Sequence, residues 1–310
     1  RDLHYPLRRQ RQTCIRDSIV ANPPFVVGLP EVGHVYRDSG LDLDGATQRV
    51  LQDAPEHLAP GGRAFILGSW VHVLDEPWQS RVASWLPSRG INAWVLQRDV
   101  VDPGMYVSTW LRDESIDPRS DEGVNRTLQW LDHFADNDVH AVGFGWVMLE
   151  DIGDAPSEIT CEELTHAFTD PLGPEAEEYF TRAAWLRGKD RDAVLDATYL
   201  VRPTVAVEDI KLADAEAGMG FADEALRITR TDGPRFSHTV DAGVLSLISG
   251  LHPNGLPLRD VVGLYAASQG VGVGAPEDVE KLEADAAAAV VDLVRHGLVL
   301  PAEIAQLTHL

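Results

Sequence analysis

Asn22-Pro23-Pro24-Phe25 is the tetrapeptide of this chain whose residue types and order suit a chemical task. A residue before proline is pushed into extended geometry, and Pro23 is itself followed by proline, so two successive residues are held stiffly. That stiffness can aim the Asn22 side-chain carbonyl and the Pro23 backbone carbonyl at one point. Two acceptors there take both hydrogens of a planar amine, and the Phe25 ring can lie against the π system that carries it. Amide and adenine nitrogens are poor nucleophiles because their lone pair is delocalised. Hydrogen bonds that draw the protons out of plane favour the geometry needed to attack a methyl sulfonium. Such a transfer needs neither a metal nor a covalent intermediate, and positioning supplies most of the catalysis. The bland alternative is a rigid turn with a packed phenylalanine.

The surrounding elements decide between the two. Ile19-Val20-Ala21 reads as the end of a buried parallel strand, stopped by the prolines. Apolar spacing over 47–58 predicts a helix broken by Pro60-Gly61-Gly62, and strands follow at 64–67, 93–96 and 139–150. Helical periodicity marks 78–86, 106–112 and 124–134. Strand–helix alternation of this kind predicts an α/β domain, a mostly parallel sheet covered on both faces, with the motif at a strand's carboxyl end. The turn-rich Asp151–Ser157 stretch predicts a domain boundary, giving domains over 17–150 and 157–310. In the second domain, helices are expected over 175–186, 190–196, 240–251, 258–268 and 279–296. Residues 199–207 and 225–231 are β-rich, and 297–301 reads as a closing strand. Three helices and a short strand over about 237–301 have the order of a winged-helix unit, with 258–268 in the recognition-helix position.

Ile19-Val20-Ala21-Asn22-Pro23-Pro24-Phe25 resembles the motif of class I S-adenosylmethionine-dependent methyltransferases that modify exocyclic or amide nitrogen: adenine-N6, glutamine-N5 and small-domain ribosomal RNA enzymes. Tyr36–Gly40, His57–Gly62, Trp78–Val82 and Trp94–Arg98 are similar to an actinobacterial group in which such a domain precedes a winged-helix-like one. The resemblance covers about 17–301 and implies a Rossmann-like fold, S-adenosyl-L-methionine as cofactor, and a nucleic-acid base or a protein glutamine as acceptor. It makes Asn22, Pro23, Pro24 and Phe25 the catalytic residues. The strands here become numbers four to seven of seven, so the glycine loop that cradles the cofactor and the acid that holds its ribose are not found upstream of Asn22. An N-terminally truncated enzyme, inactive alone, is therefore expected. The competing expectation is a non-catalytic module that binds a partner through its second domain.

Other residues carry less. Tyr36, Arg37 and Asp38 follow the motif closely and could either close over substrate or, as an Arg37–Asp38 pair, fix a loop. Gly270-Val271-Gly272-Val273-Gly274 has the spacing of a cofactor loop but follows a helix, not a strand, and reads as a connection. Trp70 reads as core, His133 and His140 as surface, and Ser69 and Ser84 lack a nucleophile-elbow context. The eleven histidines show no metal-like spacing. Glu175, Glu177, Glu178, Glu277, Asp278 and Glu280 sit in first helical turns, where they favour the helix dipole.

Composition sets the limits. The 310 residues are 44% hydrophobic and carry a net charge of −23, which is globular and repels phosphate backbones unless bases cluster locally. Two cysteines, Cys14 and Cys161, cannot build a disulfide framework, and no apolar run spans a bilayer, so a cytoplasmic protein is expected. Residues 1–16 hold five arginines against one acid; Thr13–Ser18 resembles translated adapter text, so 1–16 is expected to be a non-native or disordered leader.

Overall fold

A computed structural model describes residues 16–31, 39–270 and 276–305. The chain divides into two compact units, 1–165 and 166–310.

The first unit is a five-stranded sheet with helices on both faces. Its elements are β1 (Arg16–Ala21), α1 (Gly45–Asp53) continued by a 3-10 turn (Ala54–His57), β2 (Leu58–Val73), α2 (Trp78–Ser84), β3 (Arg89–Val101), α3 (Pro103–Asp113), α4 (Asp121–Asp136), β4 (Val139–Pro156) and β5 (Glu158–Glu163). The strand order is β1-β2-β4-β3-β5. β1 runs parallel to β2 and β3 parallel to β5, whereas β4 is antiparallel to both its neighbours. The sheet is therefore mixed rather than mostly parallel. A buried apolar run reads the same in either direction, so the direction of β4 left no mark in its sequence. This mixed α/β arrangement is compatible with a Rossmann-like methyltransferase fold.

Alternation along the strands feeds two cores. Ala64, Ile66 and Trp70 of β2 pack with Leu51 of α1 and with Trp78, Val82 and Trp85 on the α2 side. Val71 and Val142 face the other way, onto Tyr106, Val107 and Leu111 of α3 and Trp130 and Phe134 of α4. Side-chain oxygens cap both of those helices: Asp102 Oδ1 accepts from the Met105 amide at 2.9 Å and Ser120 Oγ from the Gly123 amide at 3.0 Å.

Four expectations shift. Arg16, expected in the leader, belongs to β1, and residues 1–15 lie outside the described residues. β1 is parallel but not buried: among the described residues it pairs only with β2, and Val20 is 82% exposed. Pro60-Gly61-Gly62 does not precede β2 but lies inside it. Gly61 takes φ +72°, and between the Arg16–Leu58 and Ser18–Arg63 pairs β2 advances five residues while β1 advances two. Finally, Asp151–Ser157 is not the boundary. β4 runs through it, and β5 then returns to pair with β3, carrying the unit to Thr165.

The second unit comprises α5 (Gly173–Leu186), α6 (Arg191–Leu195), β6 (Tyr199–Val201), β7 (Val205–Ala213), β8 (Phe221–Arg230), β9 (Ser237–Val240), α7 (Ala242–Ser249), α8 (Leu258–Gln269), α9 (Pro276–Arg295) and β10 (Val299–Pro301). β7, β8 and β9 form one antiparallel sheet, and β10 pairs with β6. The closing strand is thus completed by residues 199–201, outside the 237–301 segment expected to be a unit. Gly270 ends α8 as a helix cap in the left-handed region at φ +69°, and the rest of the 270–274 segment weighed as a cofactor loop lies outside the described residues. Among the described residues no helix is long and apolar enough to cross a membrane.

Candidate functional site

The site is assembled by strand register. Ser69 of β2 stands opposite Phe144 of β4, and Phe144 stands opposite Asp99 of β3, so three side chains share one face in one row. A second row holds Val142 and Val101. The first row exists because of a bulge: from Gln97 to Asp99 β3 advances two residues while β4 advances one, from Gly145 to Phe144. The extra residue, Arg98, turns Asp99 onto the row that an unbroken alternation would have given to Arg98. α3 covers these rows with Tyr106, Thr109 and Trp110, leaving a cavity of about 330 Å³ that Phe25 also lines.

Asn22 leaves the carboxyl end of β1 and is exposed, while Pro23, Pro24 and Phe25 are half-buried. The chain then dives inward, with Val26 and Val27 buried in the α3–α4 core. Two side chains fix this path. Ser69 Oγ donates to the Phe25 carbonyl at 2.6 Å, and the Val27 amide donates to Tyr106 Oη at 2.8 Å. The Phe25 and Phe144 rings meet at 5.5 Å, tilted by 43°. The outcome is a stiff segment with an exposed amide side chain at its start and an aromatic wall at its end.

Of the residues singled out in the sequence, Phe25 joins the cavity and Asn22 leads into it. Tyr36, Arg37 and Asp38 lie outside the described residues. Trp70 is fully buried, stacked on Trp78 at 5.4 Å, with Nε1 donating to Gln97 Oε1 at 2.8 Å. His133 meets Asp42 at 2.7 Å. Sequence reasoning missed Asp99, Tyr106, Trp110 and Phe144 as cavity residues, and it weighed Ser69 only as a nucleophile. Their common signal is a position near the carboxyl ends of β2 and β3, on β4 between them, or on α3 packed over them.

Neighbouring groups are committed elsewhere. Asp44, buried in the loop before α1, accepts from the Val71 amide at 3.0 Å and from Arg81 Nε and Nη2 at 2.7 and 2.8 Å. This tie and a second bond, donated by Arg81 Nη1 to Glu76 Oε2, hold Arg81 well above its ordinary range against the cost of its burial. Burial, with the charge of Glu162 added, pushes the Cys161 thiol up to about 12, which makes it a poor nucleophile at neutral pH. Among the described residues no group of three or more His, Cys, Asp or Glu is placed to hold a metal ion. In the second unit Arg259, the base at the start of α8, is bound by Asp196, Asp192 and Glu283 at 2.8, 3.0 and 3.2 Å.

Comparison with known proteins adds two findings. Residues 177–301 match a family described as a domain of unknown function (DUF7782). The chain is also similar to a ribosomal protein uL3 glutamine methyltransferase of Bradyrhizobium diazoefficiens, 32% identical over 112 residues, 32% of this chain and 34% of that protein. The chain thus spans about a third of the length of the curated relative it matches.

Proposed function

We propose that this chain carries the acceptor half of an S-adenosylmethionine-dependent N-methyltransferase. The observation that supports it best is an exposed Asn22 at the carboxyl end of a parallel strand, three residues before a phenylalanine that walls an aromatic cavity. The cofactor, when bound, supplies a methyl group on a sulfonium. Among the described residues no glycine-rich loop leads from a strand into a helix, so none is assigned to hold it. Asn22 and Pro23 accept the two hydrogens of the acceptor nitrogen, Pro23 and Pro24 stiffen them, and Phe25 stacks on its planar group. Ser69 and Tyr106 keep that segment in place from beneath. Tyr36, Arg37 and Asp38 are assigned to substrate binding.

Protein glutamine is favoured over a nucleic-acid base. The similar protein is a glutamine methyltransferase, the chain has a net charge of −23, and Arg259 is already held by three acids. Together these argue against a phosphate-binding face.

The experiment has two arms. Calorimetric titration with S-adenosylhomocysteine, on this chain and on one extended through the upstream reading frame, separates an enzyme from a binding module. In whichever form binds, single-turnover transfer from radiolabelled cofactor to a protein acceptor pool is compared with Asn22→Ala. The expected loss is on the order of 10²–10³ in kcat, that of one preorganised hydrogen-bonding partner, with cofactor affinity within a few-fold. Phe25→Ala should raise KM more than it lowers kcat, since stacking serves ground and transition states alike. An Asn22→Ala enzyme transferring at the wild-type rate would reduce the motif to a structural turn.

A further inference from the structure

The second unit carries an arm whose large apolar side chains are left exposed at its end. β7 and β8 pair from Val205–Arg230 out to Ala213–Phe221, but β9 covers β8 only over Leu226–Thr229. Beyond that the ribbon is two strands wide. Its end is nonetheless built. Asp214 Oδ1 accepts from the Glu216 and Ala217 amides at 3.0 and 2.7 Å, and the Asp214 amide donates to the Gly220 carbonyl at 3.0 Å. Lys211 binds Asp223 across the strands.

This ordered end displays large apolar side chains to water: Leu212 is 54% exposed, Met219 79% and Phe221 74%. Phe221 stands opposite Ala213, and the next pair is Leu212 with Ala222, so the two large residues emerge on opposite faces with Met219 in the turn between them. Apolar groups on both faces form a knob, which no single surface of its own unit could cover. Around it, residues 208–224 hold six acids and one base, a net charge of −5. That charge disfavours nucleic acid and an anionic membrane. It also disfavours a second copy, which would bring the same −5 tip on a chain of −23.

We propose that the β7–β8 tip is a docking knob for a cationic protein segment bearing apolar side chains. Leu212, Met219 and Phe221 insert into it while the surrounding acids steer and orient it. The inference does not depend on methyl transfer or on the Asn-Pro-Pro-Phe site.

The test measures fluorescence anisotropy of a short labelled peptide of alternating lysine and leucine added to the full chain. Alternating lysine–serine and glutamate–leucine peptides serve as controls. The lysine–leucine peptide is expected to bind best, and to weaken with salt. The Met219→Ser/Phe221→Ser double variant should weaken it by about tenfold or more. Glu216→Lys/Glu224→Lys should do likewise with the apolar tip intact. All four residues are exposed, and an unchanged thermal midpoint checks the fold of each variant. The proposal is overturned by no binding of that peptide, or by equal affinity in wild type and double variant. It is equally overturned if the double variant abolishes a concentration-dependent dimer, or binding to anionic vesicles or an oligonucleotide, since the knob then serves another occupant.

Discussion

Asp99 is the carboxylate in the lining of an otherwise largely apolar cavity, and a single extra residue in β3 puts it there. A negative charge at an aromatic wall repels anionic apolar ligands and attracts cationic ones. Asp99→Asn, which keeps the shape and removes the charge, should therefore bind anilinonaphthalene sulfonate a few-fold more tightly than wild type. A fluorescence titration measures it, and equal affinities would mean that the dye does not sense this wall. The contrast between Phe25 and Asp99 also shows what the sequence could tell. Asn22 to Phe25 declare themselves because their constraint is local: two prolines act on their own neighbours. Ser69, Phe144 and Asp99 come from three strands and meet only through register. Gln97-Arg98-Asp99-Val100-Val101 has no alternation that marks Arg98 as the bulged residue. Tyr106 was legible as a helix residue, but not as the hydroxyl that holds the Val27 amide.

Elements were more legible than contacts. α5 falls where periodicity puts it, yet its acids do not serve the helix dipole alone. Glu175, Glu178 and Arg182 are spaced three and four apart, share one helix face, and are buried. Glu175 binds Arg182 and Arg230, each at 2.6 Å, while Glu178 binds Arg202 and, at 3.3 Å, Arg182. Arg202 Nε also donates to the Gly297 carbonyl at 2.7 Å, and Arg182 Nη2 to the Arg295 carbonyl at 3.3 Å, so both arginines cap the end of α9. That i, i+3, i+7 spacing was the available signal; its buried partners, from β8 and the loop after β6, were not visible. Removing one partner leaves uncompensated charge, and Glu178→Ala should cost about 3–5 kcal/mol in urea unfolding of the second unit. Gly297→Ala should be destabilising by about 1–3 kcal/mol. It places a Cβ 2.9 Å from Arg230 Nη1 at φ +69°.

The same cluster sets an acid limit. Burial works against the Asp232 carboxylate. Hydrogen bonds and charge from Arg230, a bond from Thr204 and the charge of Arg202 outweigh it and hold the group below the usual range. A depressed folded value means stability fully present above the ordinary aspartate value of about 3.9 and lost as pH falls through the folded one. Asp232→Asn should lower stability at pH 7 and flatten the fall below about pH 4. Urea midpoints across that range measure both; parallel wild-type and variant curves would remove Asp232 from the acid response.

For the whole molecule the governing quantity is charge. At −23 the chain attracts cationic macromolecules over a Debye length of about 8 Å at physiological salt, and added salt shortens that reach. Steering changes encounter rather than the bound chemistry, so it belongs in kcat/KM and not in kcat. If the acceptor is a basic protein, as the proposed function favours, raising sodium chloride from about 50 to 300 mM should lower kcat/KM by about tenfold while kcat stays nearly constant. A short neutral glutamine peptide offered as acceptor supplies the internal control. Having no net charge to steer, it should show a flat kcat/KM across the same range, at a lower value throughout. The comparison separates long-range attraction from any effect of salt on the cavity, because under the proposed function both acceptors would meet the same Asn22, Phe25 and aromatic wall. Equal salt slopes for the two acceptors would mean that the charge serves solubility alone. A kcat that falls with salt would instead implicate the site itself, where Asp99 at the cavity wall is the group to substitute first.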